Sequence, residues 1–590
     1  MSIVTSTEYV NGWNKENNDI PHYLVDLTER HLSNFEVLNS LALLQNYENL
    51  FTFIECQVYE NLITGSVQTL LVPPFDIWLI ILTVATVSTA SKDEVLREND
   101  VYNASRIPLN KRAIKILHVY SDILTKFNVK KYNQYDLELL RCQIFIVVDT
   151  LLPQTNRNVF GRASGRTLRN QVYSPTFGEL KNPYLSYRDC LQLIDNVLGN
   201  KLINTKFSQP GEMINTFIFT LSNSLQGNFD NNGQFLNVIE SWLPIFSFLL
   251  DMILLRQNYF IKNEIGKSGS AITPTLFTQQ LIESPISKFL RIINSVQFTE
   301  RFIECIFIDC PDKNKRSNFV NEVNTDNVLK LSSTYVTRTF YPPEYVLQCS
   351  MRLRRQFTFL AFHLLSIVPS GHVMVSPKLN IQTLIRDISL ELRSLIDISH
   401  FQAFLSPENL ERDIVFIPLL AEGVFNGLIE DNSDIFDVYP SDFCDEDLST
   451  SDNNRSDDSD NTFKANFVNN LDTINEALRE YTLALELLLM SECSVSKKVR
   501  QEEYDIKLKC CICVLTVFDF FCLLHVSQLK VENLHTLEKF LESLKSLAEN
   551  FDQFCIEYSL GPDPHDIIPN FVDKFSAMGK LIHNLRQDQS

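Results

Sequence analysis

The sequence predicts an all-α protein, an irregular multi-helix bundle in two packed lobes and not a regular solenoid. Three observations carry this. Gly numbers only 16 and Pro 22 among 590 residues, whereas an all-β or dinucleotide-binding fold of this length needs many glycines for turns and phosphate loops. Apolar residues recur at three- and four-residue steps, the helical period. No internal repeat of fixed period is visible, which leaves irregular helix-on-helix packing. The two lobes follow from length, because a single hydrophobic core stops growing well below this size.

Polar residues 1–20 are expected to form a disordered leader without the apolar region of a signal peptide. The N-terminal helical lobe is expected over 21–429. Its first helix lies in RHLSNFEVLNSLALLQNYENLFTFIE, where Ser33 and Glu36 match a capping box. Leu38, Leu41, Leu44, Tyr47 and Leu50 supply its apolar period. A second helix starts at Pro73-Pro74, proline being tolerated in a first turn. Its apolar run, Ile77–Val87, spans 11 residues and reads as the longest in the chain, short of the ~20 that cross a bilayer. A buried helix, and no membrane partner, is therefore expected. Further helices are expected at 110–127, 133–151, 186–198, 210–225, 236–260, 284–296, 347–367, 379–399, 463–492, 499–526, 532–559 and 566–586.

Three segments interrupt this pattern. Residues 154–182 carry Arg157, Arg162, Arg166, Arg169 and Lys181 against Glu179, with Gly161 and Gly165. Residues 310–335 are mixed and polar. Residues 430–461 hold 12 acids and one base, Arg455, and such a composition cannot bury enough apolar area to offset its ordering entropy. This acidic stretch is expected to be a disordered loop and the lobe boundary, with the C-terminal helical lobe at 462–590. It reads first as a solvated spacer. Ser449, Thr450, Ser451, Ser456 and Ser459, set among acids, are its candidate phosphorylation sites.

The net charge of −20 repels phosphate backbones at long range, so DNA is expected to be contacted only indirectly. The 13 cysteines are odd in number and lie mostly in apolar runs. Cys510, Cys511 and Cys513 sit in KLKCCICVLTVFDFFCLL, a buried-helix pattern without the paired knuckles of a zinc site. No phosphate loop, dinucleotide fingerprint, zinc-protease motif or nucleophile elbow occurs. No catalytic, cofactor or metal-binding residues are expected, and the chain is not expected to be an enzyme. His363, in FTFLAFHLLSIV, reads as a hydrogen-bonded core histidine, and Arg354-Arg355 as side chains that snorkel or pair with carboxylates. What remains is an interaction protein, with 42 Phe and 19 Tyr as anchors for a core or a partner.

Particular blocks carry a family resemblance. HYLVDLTERHLSNFEVLNSLALLQNYENLFTFIECQ at 22–57, PFDIWLIILTVATVS at 74–88, LRENDVYNASR at 96–106 and YNQYDLELLRCQIF at 132–145 come first. They continue in KNPYLSY at 181–187, LGNKLINTKFSQPGEMINTFIFTLSNSLQ at 198–226, RQNYFIKNEI at 256–265 and ESPISKFL at 283–290, then VPSGH at 368–372 and FIPLLAEG at 416–423. In this order they resemble the budding-yeast type of the non-SMC element five family, across most of the first 425 residues. The resemblance implies a nuclear, chromatin-associated, non-catalytic subunit of the structural-maintenance-of-chromosomes five/six (SMC5/6) complex in DNA repair. It further implies an obligate heterodimer with non-SMC element six, docking on the SMC ATPase core, restraint of ATP hydrolysis, promotion of DNA loading, and a link to SUMO and the complex's SUMO ligase. The acidic segment departs from the family pattern. Within it Ile435, Phe436, Asp437 and Val438, flanked by Asp434 and Asp442, have the pattern of a strand that adds to a SUMO sheet edge. The rival Ile414–Ile417 reads as core. Outside the resemblance, a helical adaptor or a transcription-regulator-like subunit of another nuclear complex fits the same composition. The lack of an N-terminal zinc cluster counts against the regulator.

Overall fold

The computed structural model describes residues 28–64, 69–86, 107–125, 132–152, 210–225, 238–265, 273–293, 297–310, 341–436, 464–471, 473–489, 497–525, 528 and 533–557. These residues are almost entirely helical, with one two-stranded hairpin. The all-α class holds. The chain divides into two compact units, residues 1–309 with 314–379, and residues 310–313 with 380–590. The expected boundary at 430–461 therefore moves to the neighbourhood of Asn380. The reason is packing: helices on both sides of the acidic segment share one core.

In the first unit α1 (Glu29–Leu43) begins a turn before the expected Ser33–Glu36 box. Thr28 is its N-cap, and His31 takes the place a Glu or Gln holds in the usual capping box. Gln45 has φ 55° and ends the helix, so the expected single helix is two, the second being α2 (Tyr47–Thr64). The chain from Leu70 to Phe75 is then fixed by side chains. Leu70 N–H donates to Asp136, Phe75 N–H to Gln143, and Tyr120 O–H to the Leu71 carbonyl. Helix α3 (Phe75–Ala85) follows and is buried along its whole length. It packs on α4 (Leu109–Thr125) and α5 (Gln134–Leu151).

After α6 (Pro210–Asn223) comes the axis of this unit, α7 (Leu243–Tyr259), extended by π-helical turns at Val238–Trp242 and Phe260–Ile265. Ile77–Val87 has the longer uninterrupted apolar run of the two, but Val238–Lys262, interrupted by Glu240, Asp251 and Arg256, makes the longer apolar helix. Val238–Lys262 is 25 residues, and its most apolar 18-residue window has a mean hydropathy of 1.8, enough to cross a membrane by length and composition. That window is 78% buried inside the protein, and α7 touches α4, α5 and later helices, so it is a core helix. Next come α8 (Pro274–Leu281), α9 (Pro285–Leu290), α10 (Phe298–Ile306) and the long α11 (Pro343–Ile367). Phe217, Phe246, Phe289, Phe302 and Phe357 interlock between them, with centroids as close as 4.7 Å. Helix α9 stops at Leu290, short of the expected 284–296. The hairpin pairs β1 (Met374–Val375) with β2 (Lys378–Leu379), Met374 facing Leu379.

The second unit opens with α12 (Ile381–Ser394), capped by Asn380. The expected helix 379–399 breaks at Leu395, because Asp397 caps a new helix, α13 (Ile398–Leu405). Then follow α14 (Leu410–Asp413), α15 (Ile417–Asp431), α16 (Phe467–Asn470), α17 (Ile474–Glu486), α18 (Lys497–His525) and α19 (Leu534–Glu557). The expected helix 463–492 is thus two. Helix α15 packs on α12 and α18, and α17 on α19. The rings of Phe467, Tyr481, Phe518, Phe521 and Phe540 join these faces. The expected leader, the helices at 186–198 and 566–586, and segment 154–182 lie outside the described residues, as do residues 311–335.

Candidate functional site

Among the described residues no group of three or more His, Cys, Asp or Glu side chains is placed to hold a metal ion. Cys510, Cys511 and Cys513 are fully buried on α18. Burial pushes the Cys510 and Cys513 thiols up, so they behave as small core side chains. His363 is hydrogen-bonded to Asn258 (Nε2 to Oδ1, 3.0 Å), but it is half-exposed and not in the core.

The expectation for Arg354 is corrected more sharply. Its side chain is 0% exposed and does not snorkel. It donates to the carbonyls of Leu221 (2.6 Å) and Ile306 and to Ser350 Oγ (3.2 Å). Those carbonyls lie at the C-terminal ends of α6 and α10, where helix dipoles favour a cation. Burial pushes the nearby Asp309 carboxyl up, while the Arg354 charge pulls it down. Arg355 is buried beside it. The cation thus fastens two helix ends. The same device recurs in the second unit, where Lys509 Nζ donates to the carbonyls of Arg393 (3.0 Å) and Leu395 (2.7 Å) at the end of α12.

The acidic segment begins differently from its expected form. Glu430 and Asp431 belong to α15, and Arg393 pairs with Asp431. Ser433–Ile435 make a 3-10 turn, and Phe436 is 9% exposed with Lys507 Nζ 5.9 Å from its ring centroid. Within the SUMO-type tetrad, then, Ile435 ends a helical turn and Phe436 is packed away. Strand addition needs both extended and free. Asp437 and Val438 lie outside the described residues, with Ser449, Thr450, Ser451, Ser456 and Ser459. Of the rival Ile414–Ile417, Phe416 and Ile417 are buried at the start of α15, whereas Ile414 and Val415 are half-buried.

The return of the chain is held just as firmly. Ala465 N–H donates to Asn426 Oδ1 (2.7 Å) and its carbonyl accepts from Asn426 Nδ2 (2.9 Å), so an amide side chain imitates a backbone bridge. Asn466 N–H donates to Glu480 (3.0 Å) and Val468 N–H to Glu422 (2.7 Å). Burial pushes both carboxyls up, and their mutual repulsion adds to the effect on Glu422. Phe436 and Ala465 are two posts on one unit, with the acidic residues between them in sequence.

Two polar nodes had no sequence signal. Arg112 bonds Glu48 (2.7 Å), Glu55 (2.7 Å) and Thr52 (2.9 Å), tying α4 to α2. Asp136, fully buried, accepts from Arg30, from His31 (2.9 Å) and from the Leu70 amide (2.8 Å). Apolar side chains left in solvent are scattered, with Leu44, Val375 and Ile396 the most open. Chemically the described residues offer packing and charge, the means of binding other macromolecules.

Comparison with known proteins gives two findings. The family model described as DNA repair proteins Nse5 and Nse6 matches residues 1–549. The Saccharomyces cerevisiae protein named Non-structural maintenance of chromosome element 5 is 34% identical over 603 residues, covering 98% of this chain and 99% of that protein.

Proposed function

Because the chain belongs to the family of DNA repair proteins Nse5 and Nse6, we propose that it is a nuclear, non-catalytic subunit of the SMC5/6 complex. The observation that carries this is the end-to-end match to the yeast element, 98% of one chain against 99% of the other. A match of that extent concerns a whole protein, not a shared module. The family description pairs Nse5 with Nse6, and the partner in this reading is the element six protein, in a 1:1 heterodimer that associates with chromatin. Permanent interfaces of this kind bury on the order of 2,000 Å² or more.

The heterodimer docks on the SMC ATPase core, restrains ATP hydrolysis until DNA is engaged, and promotes DNA loading. A subunit that does not itself hydrolyse nucleotide changes a neighbour's turnover only by binding its states unequally. A preference of ~1.4 kcal/mol for separated heads shifts their equilibrium about tenfold against hydrolysis. Reciprocity then requires DNA, which favours engagement, to weaken the restraint. The net charge of −20 supports a role in which DNA is met through partners. A contact with SUMO or the SUMO ligase belongs to the same reading.

Affinity purification from cells tests it. Long coiled-coil SMC ATPases and the element six protein are expected to co-purify in stoichiometric amount, and recovery of neither overturns the proposal. With purified components, an ATPase rate unchanged or raised by the heterodimer in the absence of DNA removes the state-preference mechanism.

A further inference from the structure

Helix α1 is apolar on two sides, and the rest of the chain covers one of them. Phe35, Leu38 and Ala42 are buried, where the helix packs on α2 and α3. On the other side Val37 is 40% exposed and Leu44, the C-cap, 75%, with half-buried Leu41 between them. Steps of four and three residues set these side chains in one row along the helix. Exposed Ser33 and Ser40 line the row, and Leu43 adds a second exposed leucine at the helix end. No charged residue occurs from Val37 to Asn46. A solitary exposed leucine needs no explanation, but a helix that is apolar all round is ordinarily buried all round.

From this geometry we infer that Val37, Leu41 and Leu44 form a docking face whose occupant is an amphipathic helix of the element six partner, a proposal that rests on the heterodimer reading. A partner helix brings apolar side chains at the same spacing, so that one row packs against another. A second copy of this chain is disfavoured by charge, since each copy carries −20. Charge also specifies one edge of the occupant. Glu29 and Glu36 stand two turns apart on one flank of the row, exposed and in no ion pair among the described residues. Arg30, at the start of the helix, is already committed to Asp136. The matching helix therefore carries Lys or Arg along the edge of its apolar face that meets these two acids. A single row covers only part of the ~2,000 Å² that a permanent interface buries, so this face is one anchor of it.

Calorimetric titration of the purified full chain with the purified element six protein tests this. The double variant Val37→Lys with Leu44→Lys puts charge into the row at two solvent-facing positions, where substitution spares the fold. Its affinity is expected to fall about tenfold or more, the effect of spoiling a central apolar anchor. Glu36→Lys is expected to weaken binding about two- to fivefold at low salt and less at high salt; no change there removes the basic edge. Wild-type binding that the double variant leaves intact overturns the docking face and leaves the heterodimer reading standing. A wild type that does not bind overturns both. Self-association of the wild type that the double variant abolishes gives the face to a second copy and overturns the assignment. If the double variant does not fold, amide hydrogen exchange of the wild type decides. Residues 40–46 are expected to gain about tenfold protection when the partner is added, and unchanged exchange there overturns the proposal.

Discussion

The Arg354 guanidinium donates to the Leu221 carbonyl across 2.6 Å, closing the C-terminal end of α6 with a fully buried charge. Its other nitrogens reach Ile306 and Ser350, so all three helices α6, α10 and α11 depend on one side chain. Removing it leaves buried carbonyl groups without donors, at about 1–3 kcal/mol each. Arg354→Met is therefore expected to destabilise the first unit by roughly 3–5 kcal/mol, the range for breaking a buried charged network. Arg354→Lys keeps the charge but not the fork and should fall between. Denaturant titration measures both. A loss under 1 kcal/mol for Arg354→Met contradicts the role.

Two glycines one turn apart on α15 are expected to respond differently to alanine. A methyl at Gly423 would meet Ser389 Oγ at 2.7 Å and Ile385 at 3.3 Å, and Ser389 is buried. A methyl at Gly427 meets the guanidinium of Arg393, the far end of a flexible chain that can swing out. Each change gains about 1 kcal/mol of helix propensity. Gly423→Ala should still be destabilising, because overpacking costs typically 1–3 kcal/mol. Gly427→Ala loses only the Arg393–Asp431 pair, whose carboxylate is exposed and whose guanidinium is partly covered; such a surface pair is worth about 0–1 kcal/mol, and the variant should be near neutral. Equal Tm changes for the two variants would contradict this.

The two units should answer to pH in opposite senses at two specific amides. Burial alone would raise Asp136, but the His31 and Leu70 hydrogen bonds and the charge of Arg30 outweigh it and hold the carboxyl below its usual range. Its contribution is present above the ordinary carboxylate value and is lost as pH falls through the lowered one. Protection of the Leu70 amide should weaken there. Glu422 and Glu480 are pushed up by burial. Their contribution is full below the ordinary glutamate value and declines as pH rises through the raised one. The Val468 amide should be better protected on the acid side, and Glu422→Gln should abolish that trend. Exchange rates corrected for intrinsic pH effects report both.

Helices were legible where their apolar faces were long and uninterrupted, as in α5, α6, α11, α18 and α19. Boundaries failed where a side chain made the decision. His31 did the work of a capping Glu, which no sequence motif states, and Asp397 began a helix inside an expected one. The unit boundary was misplaced because charge density marks a segment, not where the contacts on either side of it go. The buried polar nodes could not be read at all, since Arg30 and Asp136 are 106 residues apart in the chain. Family membership, by contrast, was readable from local blocks, because identity does not depend on knowing contacts.

The structured ends of the acidic segment predict a sharp contrast between two deletions. Replacing 437–461 with a short Gly/Ser linker keeps Phe436 and the Asn426–Ala465 bridge, and the Tm should move by no more than a degree or two. Replacing 430–461 also removes the end of α15 and buried Phe436, whose burial is worth about 1.5–3 kcal/mol. That variant should melt several degrees lower. Equal melting of the two would show that Phe436 contributes nothing to the second unit.

The packing of Phe436 also bears on SUMO, in a way a titration can separate. If Ile435–Val438 binds by strand addition, Phe436 must first leave Lys507 and the core around it. Releasing it costs about 1.5–3 kcal/mol, and apparent affinity falls by the fraction of chain in the released state. A peptide of residues 431–445, which has no core to leave, should therefore bind SUMO roughly 10- to 150-fold more tightly than the full chain. Phe436→Tyr would shift the chain toward the peptide if the added hydroxyl disfavours burial. Equal affinities for peptide and chain would mean that Phe436 does not gate the site. A peptide whose four residues show no amide shift with SUMO removes the tetrad as a SUMO contact altogether.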